Sequence, residues 1–261
     1  MLISDSGARE GLSAHDNDIE MNAATVRPRF LQIADDIRCQ IARKELKEHD
    51  ILPSERSLSE QYGVSRMTGR RALEALETEG LVYSSDRRGR FVSPQRLSYN
   101  VSNMVSFVSN AQASNIDLRI EVIETAETAM DAKLAARFGQ SEGCGVTAYT
   151  RLFHTGDHPI FIETEYLVAD LFPGFLHHDL RQSTTRILET KYETSAATGD
   201  IVIRMRGVQE QEAHLLGISS SHTVIELEQV IRDPNGVPFC FGRQVWRGEM
   251  AEFSAHAIVT R

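Results

Sequence analysis

The groups in this chain best suited to chemistry are arginines set among small hydroxyl residues. The chemistry they offer is recognition of anions and base edges, not bond breaking. Within residues 52–73, Arg66, Thr68, Arg70 and Arg71 fall in the first two turns of a helix that Ser65 can cap. Guanidinium forks and hydroxyls at the start of such a helix reach the phosphates and base edges of double-stranded DNA. A second cluster places Arg87, Arg88 and Arg90 around Gly89, and a turn of that composition lets backbone approach phosphates or enter a minor groove. No Gly-rich phosphate loop and no Gly-x-Ser-x-Gly elbow is present, so neither phosphoryl transfer nor a serine nucleophile is indicated. His154 with His158, and the pair His177 and His178, lack a cysteine or carboxylate at ligand spacing; no metal and no cofactor is expected.

These residues need elements to hold them. Phe30, Ile33, Ala34, Ile37 and Ile41 recur at three- and four-residue steps, the apolar stripe of a first helix. Ser54 can cap a short second helix that turns Leu58 inward, Tyr62-Gly63-Val64 supplies a tight turn, and Ser65 opens a third helix with Ala72, Leu73 and Leu76 on its core side. Gly80 ends that helix, and Leu81–Tyr83 and Phe91–Val92 read as short strands joined by the arginine-rich turn. The pattern is a helix-turn-helix followed by a wing.

The chain has 261 residues, 41% hydrophobic, with a net charge of −9, enough for two cores but the wrong sign for a nucleic-acid binder. Residues 27–96 carry 14 Lys and Arg against 11 Asp and Glu, a net of +3, which leaves −12 for the rest. With so small an excess, affinity for DNA must rest on a few positioned arginines and on dimer symmetry. Cys39, Cys144 and Cys240 are odd in number and scattered, as expected of reduced thiols in a cytoplasmic protein. No apolar run is long enough for a membrane span, and Met1–Ala24 lacks a signal-peptide pattern. Residues 1–26 are polar and aperiodic and read as a disordered extension; 27–94 form the winged head, 95–105 a linker and 106–261 a second domain.

The second domain reads as α+β with an antiparallel sheet. Strands are expected at 118–125, 145–154, 159–168, 196–207, 222–232, 237–247 and 254–260, and helices at 129–138, 183–192 and 209–216. Hairpin turns fall at Asp157 and at Asp233-Pro234-Asn235-Gly236.

In order along the chain, Leu-Pro-Ser-Glu-Arg, Val-Ser-Arg-x-Thr-x-Arg-x-Ala-Leu, Leu-Glu-x-Glu-Gly-Leu-Val and Gly-x-Phe-Val resemble the winged-helix domain of the GntR family of bacterial transcription regulators. The resemblance implies that Arg56, Ser65, Arg66, Thr68 and Arg70, with the wing at Gly89, contact an operator. One departure is Gly69, where the family usually has a larger residue; glycine within a helix costs about 1 kcal/mol relative to alanine, so a softer recognition helix is expected.

Further on, Arg151-Leu152 followed by Pro159 and Glu163, then Leu171-Phe-Pro-Gly174, Gln182-Ser183, Gly217-Ile218, Asp233-x-x-Gly-x-Pro238 and Trp246-Arg-Gly-Glu249 resemble the effector-binding UTRA domain of the HutC branch, whose fold is shared with chorismate lyase. The resemblance implies that Arg151 holds an anionic effector, that Glu163 accepts hydrogen bonds from it and that Ser183 caps it. Arg151 as an interstrand ion pair and Ser183 as a plain helix cap are the alternatives. Sugar-phosphate-binding relatives commonly carry a second arginine at Phe153, a glutamate at Cys240 and a tyrosine at Trp246. Phe153 shares strand parity with Arg151, and Cys240 with Trp246, so these side chains are expected to line one cavity, less cationic and more aromatic. That favours a small carboxylate, planar or amino-bearing, over a sugar phosphate, unless Phe153 and Trp246 are simply core aromatics. The expected function is a ligand-responsive repressor binding a palindromic operator as a homodimer. A chorismate-lyase-like enzyme fused to a DNA reader, or an effector-independent DNA binder, are the rivals.

Overall fold

The computed structural model describes residues 27–85, 88–94, 96–103, 106–113 and 116–256. The extension expected at 1–26 and the proposed contact Arg87 lie outside these residues. Three helices build the head: α1 (Arg29–Ala42), α2 (Glu55–Tyr62) and α3 (Arg66–Thr78), followed by the antiparallel hairpin β1 (Val82–Ser85) and β2 (Gly89–Val92). Ser54 and Ser65 accept hydrogen bonds from the backbone N–H groups of Ser57 and Thr68, and Gly63 turns the chain at φ 61°. These caps start α2 and α3, and a left-handed residue that only glycine adopts cheaply sets the angle between them. Ile33, Ile37, Leu58, Leu73, Leu76, Val82 and Val92 close the core.

Gly69 has a packing reason. A Cβ there would stand 3.2 Å from the carbonyl oxygen of Glu55 and 3.3 Å from the Leu58 Cβ, so the missing side chain lets α2 and α3 approach closely. The softer helix expected from the sequence is thus the cost of a tight crossing. Gly69→Val should destabilise the head by about 1–3 kcal/mol through overpacking, despite the gain in chain stiffness, as read by chemical denaturation.

The second domain is a six-stranded sheet in the order β4-β5-β6-β9-β8-β7, every neighbour antiparallel. Its strands are β4 (Leu118–Ala129), β5 (Gly145–Thr155), β6 (His158–Val168), β7 (Thr198–Gly207), β8 (Thr223–Arg232) and β9 (Pro238–Arg247), after β3 (Leu97–Asn100) and before β10 (Ala251–Ser254). Helices α4 (Phe107–Ala113), α5 (Ala132–Phe138), α6 (Thr184–Tyr192) and α7 (Glu210–Leu216) cover it. One face packs Val146, Phe241, Leu152 and Val245 under α5 and α7. The other carries Tyr149, Arg151 and Phe153 of β5, Phe161, Glu163 and Glu165 of β6, and Cys240, Gln244 and Trp246 of β9, because residues two apart share a face.

Two expectations need correction. Within the segment expected as a linker, Leu97–Asn100 is a strand: it pairs in parallel with Ala251–Ser254, and Tyr99 is buried against Trp246. A turn-rich composition hid a strand whose partner lies at the far end of the chain. The last strand also begins at Ala251 instead of 254, since its extent is fixed by β3 and not by its own apolar run.

Candidate functional site

Arg151 lies at the centre of the buried face, with 2% of its surface exposed. Its Nε donates to Glu163 at 3.1 Å, Nη1 to the carbonyl oxygens of Leu180 and Gln182 at 2.8 Å each, and Nη2 to Glu163, to Glu165 at 2.9 Å and to Thr184 at 3.1 Å. The guanidinium is flanked by the rings of Tyr149 and Phe153, each 5.2 Å away. Tyr149 and Thr184 both donate to Glu165. Gln244 donates to Glu163 at 2.8 Å and is itself held by the Trp246 indole N–H at 2.9 Å. Burial works against the Arg151 charge, but the carboxylates beside it outweigh burial and keep it protonated. Burial, with the Glu163 charge next to it, pushes the Glu165 carboxyl above its ordinary value. Burial and the same carboxylates push the Cys240 thiol well up.

Arg151 and Glu163 therefore do meet, as the sequence indicated, but as a buried ion pair with no spare guanidinium donor in this arrangement. Ser183 caps α6, accepting from the Arg186 N–H; its neighbour Thr184 is the residue that enters the cluster. The single cavity expected behind Phe153, Cys240 and Trp246 is filled. Phe153, Phe161 and Trp246 form a stack with ring centroids 4.1 and 3.8 Å apart, capped by Phe107 and Tyr99. Cys240 belongs instead to a second apolar cluster with Tyr149 and Phe175. Aromatic side chains at these positions fill the volume that smaller or charged ones would leave open. Sequence reasoning missed Tyr149, Glu165, Thr184 and Gln244. The signal was there: Tyr149 and Glu165 stand two residues from Arg151 and Glu163, on the same face.

In the head, Arg56, Ser65, Arg66, Arg70 and Arg71 are exposed and Thr68 is half-buried, its hydroxyl 2.9 Å from that of Ser65. Arg56 pairs with Glu60 and Arg70 with Glu74, exposed pairs worth little and easily exchanged for phosphate. Met67, 61% exposed beside Arg66, was overlooked, yet an apolar side chain there suits a thymine methyl. Arg71 also packs over the Phe30 ring at 4.5 Å. At the wing, Arg88 is exposed and Gly89 holds φ 113°. Arg90 turns inward to Glu55 at 3.1 Å and Glu77 at 3.5 Å; in this arrangement it stitches the wing to α2 and α3, unlike the exposed Arg88.

The head rests on the sheet through a compact contact. The Tyr83 hydroxyl lies 2.9 Å from His49 Nδ1 and 3.1 Å from His158 Nδ1, the two imidazoles stack at 3.7 Å, and Arg247 covers the Tyr83 ring at 4.7 Å. Tyr83 can donate to one imidazole and accept from the other only if at least one is neutral. Burial, followed by His49, Arg88 and Arg247, lowers His158 to about 4, with Asp157 opposing, and burial and Arg247 lower His49. Because the folded value lies below the ordinary 6.5, the unfolded chain protonates first. The contact is at full strength above that value and weakens as pH falls towards about 4. Thermal unfolding followed across this range should show the loss, and His158→Phe should flatten it.

A UTRA domain model matches residues 113–252, and that of bacterial regulatory proteins, gntR family, matches residues 30–92. The chain is a UTRA-domain member of the GntR family. It is 26% identical over 235 residues to the HTH-type transcriptional repressor NagR of Bacillus subtilis, covering 90% of this chain and 97% of that one. It is 29% identical over 202 residues to the mannosyl-D-glycerate transport/metabolism system repressor MngR of Escherichia coli, covering 77% and 83%. The crystal structure of PhnF from Mycobacterium smegmatis shares the fold, with a TM-score of 0.62 at 22% identity, over 87% of this chain and all of that one. NagR and MngR are transcriptional repressors, which sets aside the enzyme reading of the chorismate-lyase-like fold. The chain is a DNA-binding transcription regulator with a ligand-binding domain. No described helix is long and apolar enough to cross a membrane.

Proposed function

We propose that the chain is a cytoplasmic repressor that grips a palindromic operator as a homodimer and is released by a small carboxylate bearing a protonated amine. The observation that carries the effector class is the charge balance of the buried cluster: one guanidinium, Arg151, against two carboxylates, Glu163 and Glu165. A doubly charged sugar phosphate would enter a site already short of positive charge, with Phe153 where a second arginine would help. A zwitterion brings both partners. Its carboxylate takes Arg151 donors now given to Glu165 or to backbone carbonyls, and its ammonium compensates the displaced carboxylate. Repression fits the named activity of both relatives, and free thiols at Cys39, Cys144 and Cys240 fit a reducing compartment.

Entry requires the cover to open, since α4 and β3 seal the aromatic end and α6 the Thr184 end. That cover is joined to the reading head. β6 carries His158 as well as Glu163 and Glu165, and β9 carries Arg247 next to Trp246. A ligand that binds the open arrangement better shifts the head with it, whereas one binding both alike shifts nothing. Calorimetric titration with amino acids and related amines, simple carboxylates and hexose phosphates, alongside operator gel shifts, tests this. An amino-bearing carboxylate is expected to bind and release DNA. A hexose phosphate doing so alone overturns the charge argument, and release by none of them favours an effector-independent DNA binder.

A further inference from the structure

The face of the sheet away from Arg151 is not fully covered. α5 packs with Val146 and Phe241, α7 with Leu152 and Val245, and a cleft of about 410 Å³ opens between the two helices over β7, β8 and β9. Strand register sets its lining. Arg204 of β7 stands opposite Glu226 of β8, Glu228 opposite Arg243 of β9, and Tyr166 of β6 opposite Phe241. Residues opposed across antiparallel strands point to the same side, and every second residue along each strand joins them. Arg137 reaches in from α5. Residues 97–261 hold 13 Lys and Arg against 21 Asp and Glu, a net of −8. Yet five of those cations, Lys133, Arg137, Arg204, Arg206 and Arg243, line this one cleft.

The carboxylates present do not balance them. Glu228 accepts from Arg137 and Arg204 at 2.7 Å each. Glu226 accepts from Arg206 at 2.7 Å and Arg243 at 2.9 Å, and lies 3.3 Å from Arg204. Glu212 accepts from Arg206 and Arg243 at 2.8 Å. Burial raises the Glu212 and Glu226 carboxyls, but the guanidinium groups more than offset it and hold both below the ordinary value. Four guanidinium groups thus share three carboxylates, while Lys133 and Asp131 offset each other. Donors are left over too. Among the described residues, Nε and Nη1 of Arg137, Nε of Arg204, Nη1 of Arg243 and the Tyr166 hydroxyl have no protein acceptor. Arg137 and Arg204 are 31% and 44% exposed, so a ligand can reach them. Tyr166 stacks on Phe241 at 5.7 Å, and the Arg137 guanidinium lies 5.1 Å over the same ring, which sets flat surfaces beside the spare donors.

We propose that this cleft is a second ligand site, for a small organic oxyanion on a flat apolar body, an aromatic carboxylate or phosphate ester. The oxyanion takes the spare donors and supplies the missing negative charge, as guanidinium forks favour. Tyr166 donates to it, and the apolar body lies against Leu134 and the Tyr166 ring. The sheet separates this site from the Arg151 cluster, and the proposal does not rest on the effector reading. The charge balance is the reverse of that cluster, where carboxylates are in excess, so the two faces select different ligands.

Calorimetric titration of the full chain with benzoate, phenyl phosphate and uncharged benzyl alcohol tests this, at low salt where half-exposed charges are least screened. The anions are expected to bind and benzyl alcohol is not; the tighter anion tells carboxylate from phosphate ester. Arg137→Gln should weaken anion binding about tenfold or more, the loss of a charge-assisted hydrogen bond. Arg137→Lys keeps the charge but not the fork and should fall between. Tyr166→Phe removes a hydroxyl with no protein partner, so folding should be unchanged while anion affinity drops about three- to tenfold. Thermal melts of the free variants check their folding. If neither anion binds, if benzyl alcohol binds as well as they do, or if either folded variant, Arg137→Gln or Tyr166→Phe, binds like the unmodified chain, the proposal is overturned. Anion binding that responds to Glu165→Gln instead belongs to the Arg151 cluster, which removes the second site and leaves the effector reading standing.

Discussion

Arg151→Ala is expected to destabilise the effector domain by about 3–5 kcal/mol, the range for removing one partner of a buried ion pair and leaving the other uncompensated. The magnitude follows from what Arg151 holds. Its donors satisfy Glu163, Glu165, Thr184 and the carbonyls of Leu180 and Gln182, all at the buried junction of β5, β6 and the start of α6. Deleting the guanidinium strands two carboxylates without water. Substituting the charges together, Arg151→Met with Glu163→Gln and Glu165→Gln, leaves no stranded ion and should recover most of the loss. Urea denaturation of the three proteins checks this, and a loss below about 1 kcal/mol for Arg151→Ala would mean that the cluster is hydrated and the pair behaves as a surface one. Arg151→Ala is therefore a poor probe of effector response by itself, because loss of signal would mix lost binding with lost folding. Glu165→Gln is the cleaner variant. It keeps the size and accepts the same hydroxyl donors, but it removes one carboxylate from the charge balance on which the effector proposal rests.

Most elements were legible because their signals are local. The serine caps of α2 and α3, the glycine turn at Gly63 and the alternation along β5, β6 and β9 each depend on a few neighbouring residues. What was not legible depends on distant partners. β3 is a strand because Ala251–Ser254 lies beside it, and Gly69 is small because Glu55 and Leu58 press on it from another helix. Arg90 reads as a wing cation until Glu55 and Glu77 are seen to claim it. The site shows the same division. Strand parity put Phe153 with Arg151 and Cys240 with Trp246, but parity does not say whether a face is hollow. Aromatic stacking by Phe107, Phe153, Phe161 and Trp246 closes one end, and α6 brings Thr184 onto Glu165 at the other.

Operator binding should separate three kinds of arginine that look alike in the sequence. Arg66→Ala is expected to weaken binding by about 1–3 kcal/mol per head, and by about twice that in a two-headed dimer if the heads act independently. Arg66 is exposed at the first turn of α3 and, among the described residues, has no carboxylate partner to surrender. Its loss should also relax sequence preference if it reads a base. Arg70→Ala should cost less, because Arg70 must first leave Glu74. Arg88→Ala should weaken all sequences alike and lower the salt slope by about 1 per head, the mark of a phosphate contact. Arg90→Ala should do neither directly. It releases the wing from Glu55 and Glu77, so it lowers head stability by roughly 1 kcal/mol or less and weakens operator affinity only by loosening the wing. Fluorescence anisotropy with operator and scrambled duplexes at several salt concentrations, with thermal melts of each variant, resolves the three. If Arg90→Ala changes the salt slope as Arg88→Ala does, the inward ion pairs break on DNA and the wing presents both arginines. If Arg66→Ala leaves operator affinity unchanged, α3 does not enter the groove by its first turn, and the reading surface must be sought further along it at Arg70 and Glu74.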